Sequence, residues 1–367
     1  MLFLLLLCCA CSFLATALLV RYGRGHARRY GFSRPQRFHM GHVPRLGGVA
    51  MLVGCTIGWT WMVLSGTLRF PNLIRLDSWT ALSIWIVTLI PVVGGILEDI
   101  TQRLRASLRL VLTVVGAVCA VAALALTVPR LGVPVLDAWW SAYPWLGIVL
   151  AILAISGLPH AFNLIDGYNG LAGIVAMICC FALAYVALQV GDRQLAALVL
   201  VLAGSTAGFL VWNYPRGLIF AGDGGAYLWG MVISICSVML VRRHPQVSPW
   251  FPALLLIYPV WETLFSVYRK AARGYSPGVA DALHFHQLIY RRIVRGVFHD
   301  DEARRMLMRN NRTSPYLWGF ALLTVLPAVL FWNNTLMLMV FCVLFVVSYS
   351  YAYSSIIRFK VPRWLRR

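Results

Sequence analysis

Asn163, Asp166 and Asn169 stand three residues apart in the stretch HAFNLIDGYNGLAG, between two long apolar runs. Their amide and carboxylate oxygens are hard ligands. They suit Mg²⁺, which takes one or two protein carboxylates and fills its remaining positions with phosphate oxygens and water. On a helix the three would share a face, but Gly167 and Gly170 argue for a broken helix or loop. Irregular backbone at membrane depth must line a cavity or be buried in protein. An Asn-Gly turn explains Asn169 and Gly170 and leaves Asn163 and Asp166 to be explained. A second carboxylate, Asp223, lies in GDGG immediately before an apolar run. Free backbone N–H groups at a helix start can meet metal and phosphate oxygens together, although a plain N-cap would use the same residue. A third cluster, GGILEDITQRLRASLRL, sets Glu98 and Asp99 before Arg103, Arg105 and Arg109. A fourth, DALHFHQLIYRR, holds His284 and His286 with Arg291 and Arg292. Zinc would need three or four ligands and no third His or Cys is near, so anion binding fits better. A surface amphipathic helix is the plainer alternative.

The elements that must carry these groups are membrane helices. The 367 residues are 60% hydrophobic and 12% charged, with a mean hydropathy of +0.76. Soluble domains carry about 25% charged residues. Eleven continuous apolar runs are each close to the roughly 20 residues a span needs. They cover 1–20, 47–66, 80–97, 110–128, 143–159, 171–190, 194–212, 224–241, 250–268, 316–333 and 335–357. Continuity rather than alternation predicts helices, not a barrel. The expected fold is therefore all-α and polytopic, with about eleven transmembrane helices. With the N-terminus outside and the C-terminus cytoplasmic, 26 of the 32 Lys and Arg fall on the inner side, in line with the positive-inside rule.

The first run has no positive residue before it, unlike a secretory signal, and is read as an uncleaved helix. The nine Cys all fall in apolar runs and read as packing residues, with neither a zinc site nor a disulfide framework indicated. The net charge of +20 sits in short loops and a basic tail beside helices. Anionic lipid headgroups explain it better than nucleic acid. All four polar clusters fall on the inner face, whose segments are about 21–46, 98–109, 160–170, 213–223 and 269–315. One transmembrane domain, 1–367, contains them all. Glu262 lies within the ninth run, where ionisable groups are costly. Hard oxygen ligands beside Arg and His at one membrane surface are the equipment for phosphoryl transfer.

The ordered motifs PRLGG, GGILEDI, NLIDGYNGL, NYPRGLIFAGDGG and DALHFHQ resemble the polyprenyl-phosphate N-acetylhexosamine-1-phosphate transferase family. That family includes phospho-MurNAc-pentapeptide translocase and UDP-GlcNAc:undecaprenyl-phosphate GlcNAc-1-phosphate transferase. The match runs from about Pro44 to Arg292. Glu98 replaces the first Asp of the family's acidic pair, Gln287 its last His, Arg216 a frequent Pro and Ala226 a frequent Ser. The resemblance is closer to the GlcNAc-1-phosphate branch.

It implies transfer of HexNAc-1-phosphate from a UDP-N-acetylhexosamine to undecaprenyl phosphate, with release of UMP. Such a step initiates O-antigen or other cell-envelope polysaccharide synthesis. Asp223 and Asn163 would then hold Mg²⁺ (or Mn²⁺ in its place) and pyrophosphate. Asp99, supported by Glu98, would orient or deprotonate the lipid phosphate. Arg109 would touch phosphate, and Asp166 and Asn169 would hold nucleotide or the loop's shape. His284, His286 and Arg292 would bind diphosphate or sugar. Which carboxylate serves as base stays open. The resemblance places the chain in the bacterial inner membrane with a cytoplasmic site, membrane lipid around it and a homodimer among its expected assemblies. A polytopic secondary transporter is the rival from another class. It would place its site at the midplane between inverted repeats.

Overall fold

Inside a bilayer each backbone N–H and C=O needs a protein partner, and the apolar runs meet that demand as helices. A computed structural model describes residues 1–27, 42–67, 76–274 and 283–358. Asp281 and many of the inner-side Arg lie outside them. Among the described residues there are fourteen helices and no strand. The first seven are α1 (Leu2–Ala27), α2 (Gly47–Thr67), α3 (Ser78–Thr101), α4 (Ala106–Leu124), α5 (Pro134–Ala142), α6 (Trp145–Ile165) and α7 (Leu171–Gln189). The rest are α8 (Arg193–Asn213), α9 (Gly222–Arg243), α10 (Trp250–Leu255), α11 (Ile257–Ala271), α12 (Phe285–Arg292), α13 (Glu302–Leu330) and α14 (Thr335–Ile357). Ten are long and apolar enough to cross a membrane.

Those ten correspond to ten of the eleven expected runs. The ninth run is instead two helices, α10 and α11, which meet at Leu256. Pro259 gives the reason, because it has no N–H to offer the Leu255 carbonyl four residues back. That carbonyl faces the Cys179 thiol at 3.9 Å. The fifth run also differs. Helix α6 continues through Pro159 to Ile165, so Asn163 sits on a helix and the irregular backbone starts only at Asp166.

Helix α9 is the axis of the bundle. Its most apolar stretch is wholly buried, with α2, α3, α6, α7 and α8 around it. Helices in lipid associate by close packing of small residues. At the start of α9 this packing is extreme. A Cβ on Gly48 of α2 would strike the Gly225 nitrogen, and one on Gly95 of α3 would lie 2.6 Å from the Gly224 nitrogen. Three backbone hydrogen bonds pin the chain entering α2 to the chain entering α9. They run from Gly47 N to Phe220 O, Gly48 N to Ala221 O and Phe220 N to Pro44 O, each 2.9 Å.

Candidate active site

The first turn of α9 brings the carboxylates together. Gly222 opens it at φ +72°, where a Cβ would strike the Asp99 carboxylate and the Arg45 carbonyl. Asp223 follows. Its Oδ1 accepts from Asn163 Nδ2 at 2.8 Å, and its Oδ2 pairs with the Arg109 guanidinium. Asn163 comes from the last turn of α6 and Arg109 from the first turn of α4. Asp99 reaches in from the last turn of α3 and is 3% exposed. Its Oδ1 accepts from Asp223 N at 3.0 Å and its Oδ2 from Gly224 N at 2.9 Å. It thus satisfies two of the donors that a helix start leaves unpaired, and its charge suits the helix dipole. The resemblance placed Asp99 on the lipid phosphate. Here both its oxygens accept from the backbone of α9, which fixes the position of Asp223. Glu98 Oε2 accepts from Leu104 N at 2.8 Å and closes the loop that delivers Arg109.

Asp166 lies one residue beyond α6. No hydrogen bond to its carboxyl forms among the described residues. Burial pushes this carboxyl up to about 7, against the pull of Arg45 and with a further push from Asp223. A carboxyl shifted this far marks a functional candidate. Next to it, a Cβ on Gly167 would lie 3.1 Å from His286 Nε2. The His286 ring is stacked on that of His284, with centroids 5.4 Å apart and planes 7° from parallel. His284 Nδ1 is 3.2 Å from Glu262 Oε1. The segment around the two His is no surface helix, since residues 285 to 290 are all buried.

Two expected site residues stand apart from this cluster. Asn169 is a tether. Its N–H donates to Asn310 Oδ1 at 2.8 Å, its Nδ2 to Asn311 Oδ1 at 3.0 Å, and its carbonyl accepts from Ser314 Oγ at 2.7 Å. These bonds fasten the α6–α7 turn to α13. Arg292 donates from one guanidinium nitrogen to the Ile356 carbonyl at 2.6 Å and to that of Ile357. The C-terminal carbonyls of α14 attract a cation, and this nitrogen of Arg292 lies on them.

Sequence reasoning missed Arg45, whose charge acts on both Asp166 and Asp99. It also missed His160, whose Nε2 is 2.9 Å from Thr113 Oγ1, and the Asn310–Asn311 pair. Arg45 lies in the quoted PRLGG and His160 one turn before Asn163, but only the packing of α2, α4 and α6 aims them.

Hard oxygen atoms from Asp223, Asp166 and Asn163 therefore occupy one end of the bundle. No group of three or more His, Cys, Asp or Glu able to hold a metal is present among the described residues. The described residues offer a cation few charged ligands, a set that fits Mg²⁺ completed by phosphate oxygens and water.

The family model for "Glycosyl transferase family 4" matches residues 81–241, essentially α3 to α9. The chain is 30% identical over 256 residues to the probable undecaprenyl-phosphate N-acetylglucosaminyl 1-phosphate transferase of Bacillus subtilis (strain 168), spanning 68% of this chain and 66% of that protein. It is 25% identical over 311 residues to the decaprenyl-phosphate N-acetylglucosaminephosphotransferase of Mycolicibacterium smegmatis, spanning 74% and 73%. It is 32% identical over 203 residues to the phospho-N-acetylmuramoyl-pentapeptide-transferase of Moorella thermoacetica, spanning 53% and 61%. The match reaches from the helix that carries Asp99 to the one that begins with Asp223, and on these grounds the chain belongs to glycosyl transferase family 4.

Proposed function

We propose that this chain transfers HexNAc-1-phosphate from a UDP-N-acetylhexosamine to undecaprenyl phosphate, giving undecaprenyl-diphosphate-HexNAc and UMP. The supporting observation is the gathering of Asp223, Asn163, Arg109 and Asp99 around the first turn of α9. A lipid phosphate oxygen would bond to the sugar-linked phosphorus while the bond from that phosphorus to UMP breaks. A phosphomonoester has a second pKa of about 6, so most of the nucleophile is already a dianion and a strong base is not essential. The harder task is to bring two anions together. Arg109 and Arg45 supply positive charge on the chain's own account. Asp223 and Asn163, with Asp166 beside them, would hold Mg²⁺, Asn163 by turning its amide oxygen inward. Bound there, Mg²⁺ would neutralise charge on the diphosphate and the departing UMP. Asp166, with its carboxyl near 7, would keep a proton in the site or release it as cation and substrate arrive. His284 and His286 would face sugar or diphosphate from the other side of the Asp166–Gly167 turn.

A second donor, a UDP-MurNAc-pentapeptide, is favoured by the Moorella match. Purified protein with undecaprenyl phosphate and a panel of UDP-sugars separates the two by UMP release. Release from UDP-GlcNAc or a related N-acetylhexosamine supports the first reading, and release from the pentapeptide donor alone replaces it. No release with any donor sinks both and leaves the transporter.

The site would face the cytoplasm, with the chain in the bacterial plasma membrane. Arg105 and Arg193 are exposed at opposite ends of the bundle. In a background without the native Cys, an impermeant thiol reagent should reach Arg193→Cys from outside intact cells and Arg105→Cys only in inside-out vesicles. The reverse pattern would overturn the orientation.

A further inference from the structure

Glu262 has no part in the reaction outlined above, yet it is a carboxylate with 0% exposure in α11. A buried charge of this kind is costly unless it is fully hydrogen-bonded. Its partners come from separate elements. Oε1 accepts from the Phe285 backbone N–H at 3.0 Å and stands 3.2 Å from His284 Nδ1. Oε2 accepts from the Tyr349 hydroxyl of α14 at 2.5 Å. An ionised carboxylate can only accept, so the proton of the His284 contact belongs on Nδ1. His284 then presents a flat face to His286 at 5.4 Å. His286 in turn meets the edge of Tyr168 at 5.6 Å and covers Gly167, beside the Asp166 carboxyl.

We infer that Glu262 is the positioning residue of the histidine pair. It holds His284 in the Nδ1-protonated form and, through the stacked rings, sets His286 over the Asp166–Gly167 turn. The break at Leu256 lets α11 start in a new direction, and Glu262 lies in the second turn after it. The inference deepens the transferase reading and rests on it for its kinetic consequence, though not for its structural one.

The test pairs kinetics with a signal independent of turnover. In Glu262→Gln the amide oxygen can still accept from Phe285, and its N–H₂ can donate to the Tyr349 hydroxyl, so the fold should persist while the charge is lost. kcat/KM for UMP release should fall by about 10–100-fold, the scale of losing the carboxylate partner of a metal-bound histidine. In a His284→Gln background the same substitution should cost less than about twofold, because residues acting as one unit are not additive. An equal loss in both backgrounds would reduce Glu262 to a structural residue. Histidine-selective ¹⁵N NMR of the full chain in nanodiscs gives the second reading. An Nδ1-protonated signal that disappears in His284→Gln and shifts in Glu262→Gln is expected. Assignment of that signal to an Nε2-protonated ring would overturn the inference. If no donor gives UMP but the NMR result holds, the reaction falls and the positioning role stands. Should Glu262→Gln fail to fold, Tyr349→Phe removes one donor and should move the same signal by less. An unmoved signal there would count against the inference.

Discussion

The two ends of α9 carry the same kinds of residue in opposite arrangements. At its far end Asp192 accepts from Leu195 N at 2.9 Å, from Arg243 at 3.2 Å and faces His244 Nε2 at 3.1 Å. Nearby, Arg130 donates to the Pro245 and Val247 carbonyls at 2.6 and 2.7 Å. Asp192 and Arg130 there are spent on chain turns and on neighbouring side chains. Burial pushes the Asp192 carboxyl up, but the Leu195 N–H, His244 and Arg243 outweigh it and hold the group below the ordinary carboxylate range. At the near end three carboxylates converge from α3, α9 and the exit of α6. One of them, Asp166, has no hydrogen-bond donor among the described residues and sits near 7. A shifted carboxyl without a donor at one end, and a bonded one at the other, makes the near end the candidate for chemistry. About 30 Å of helix separates the two.

The comparison breaks most sharply on paired substitutions. Asp223→Asn should lower UMP release by about 100–1,000-fold, the scale of losing one preorganised electrostatic group, with little change in melting temperature. Asp192→Ala should leave the rate within about twofold and cost about 0.5–2 kcal/mol of stability, the range for a lost helix cap. Equal rate losses in a UMP assay would mean that the two ends are not distinct.

Glycines sharpen the contrast at a smaller scale. Gly222 and Gly191 both have positive φ, +72° and +80°. A Cβ on Gly222 would strike Asp99 and Arg45, whereas one on Gly191 would meet nothing within 4 Å. Gly191→Ala should cost only the left-handed backbone strain, about 1–2 kcal/mol. Gly222→Ala should displace the first turn of α9 and lose at least about tenfold in rate, in proportion to the misplacement of Asp223. Thermal unfolding and UMP release, measured side by side, give the answer.

The smallest expected effect is a pH dependence. Because the Asp166 carboxyl is raised from an ordinary value of 3.8 to about 7, the folded protein binds its proton more tightly than the unfolded chain. Stability from this group is complete below about pH 4 and is lost as the pH rises to about 7. Asp166→Asn has no proton to lose. Its melting temperature relative to the parent should therefore climb between about pH 4 and pH 8 and then level. A flat difference would mean that Asp166 is solvated like any surface carboxylate.

Much of this molecule is readable from residue order alone, because hydrocarbon tolerates only segments that satisfy their own backbone. Eleven apolar runs could hardly be anything but helices. Twelve acidic residues in 367 made Asp99, Asp166, Asp223 and Glu262 conspicuous, since each charge near the bilayer needs a reason. The glycine pairs of PRLGG, GGILEDI and GDGG are plain in the sequence, and only the packing shows how closely α2, α3 and α9 approach there. Tertiary structure decided the rest, through contacts that no local pattern encodes. Asp99 and Asp223 are 124 positions apart, and only the packing of α3 on α9 turns one into the anchor of the other. Asn163 and Asn169 look alike in NLIDGYNGL. One faces Asp223 and the other α13, because α6 runs on past Pro159 and ends between them. The resemblance gave Arg292 to diphosphate or sugar, and only the tertiary structure shows one of its guanidinium nitrogens on the last carbonyls of α14. Residue type states what a side chain can do, whereas its distance to groups far along the chain, settled by close packing among helices, states what it does.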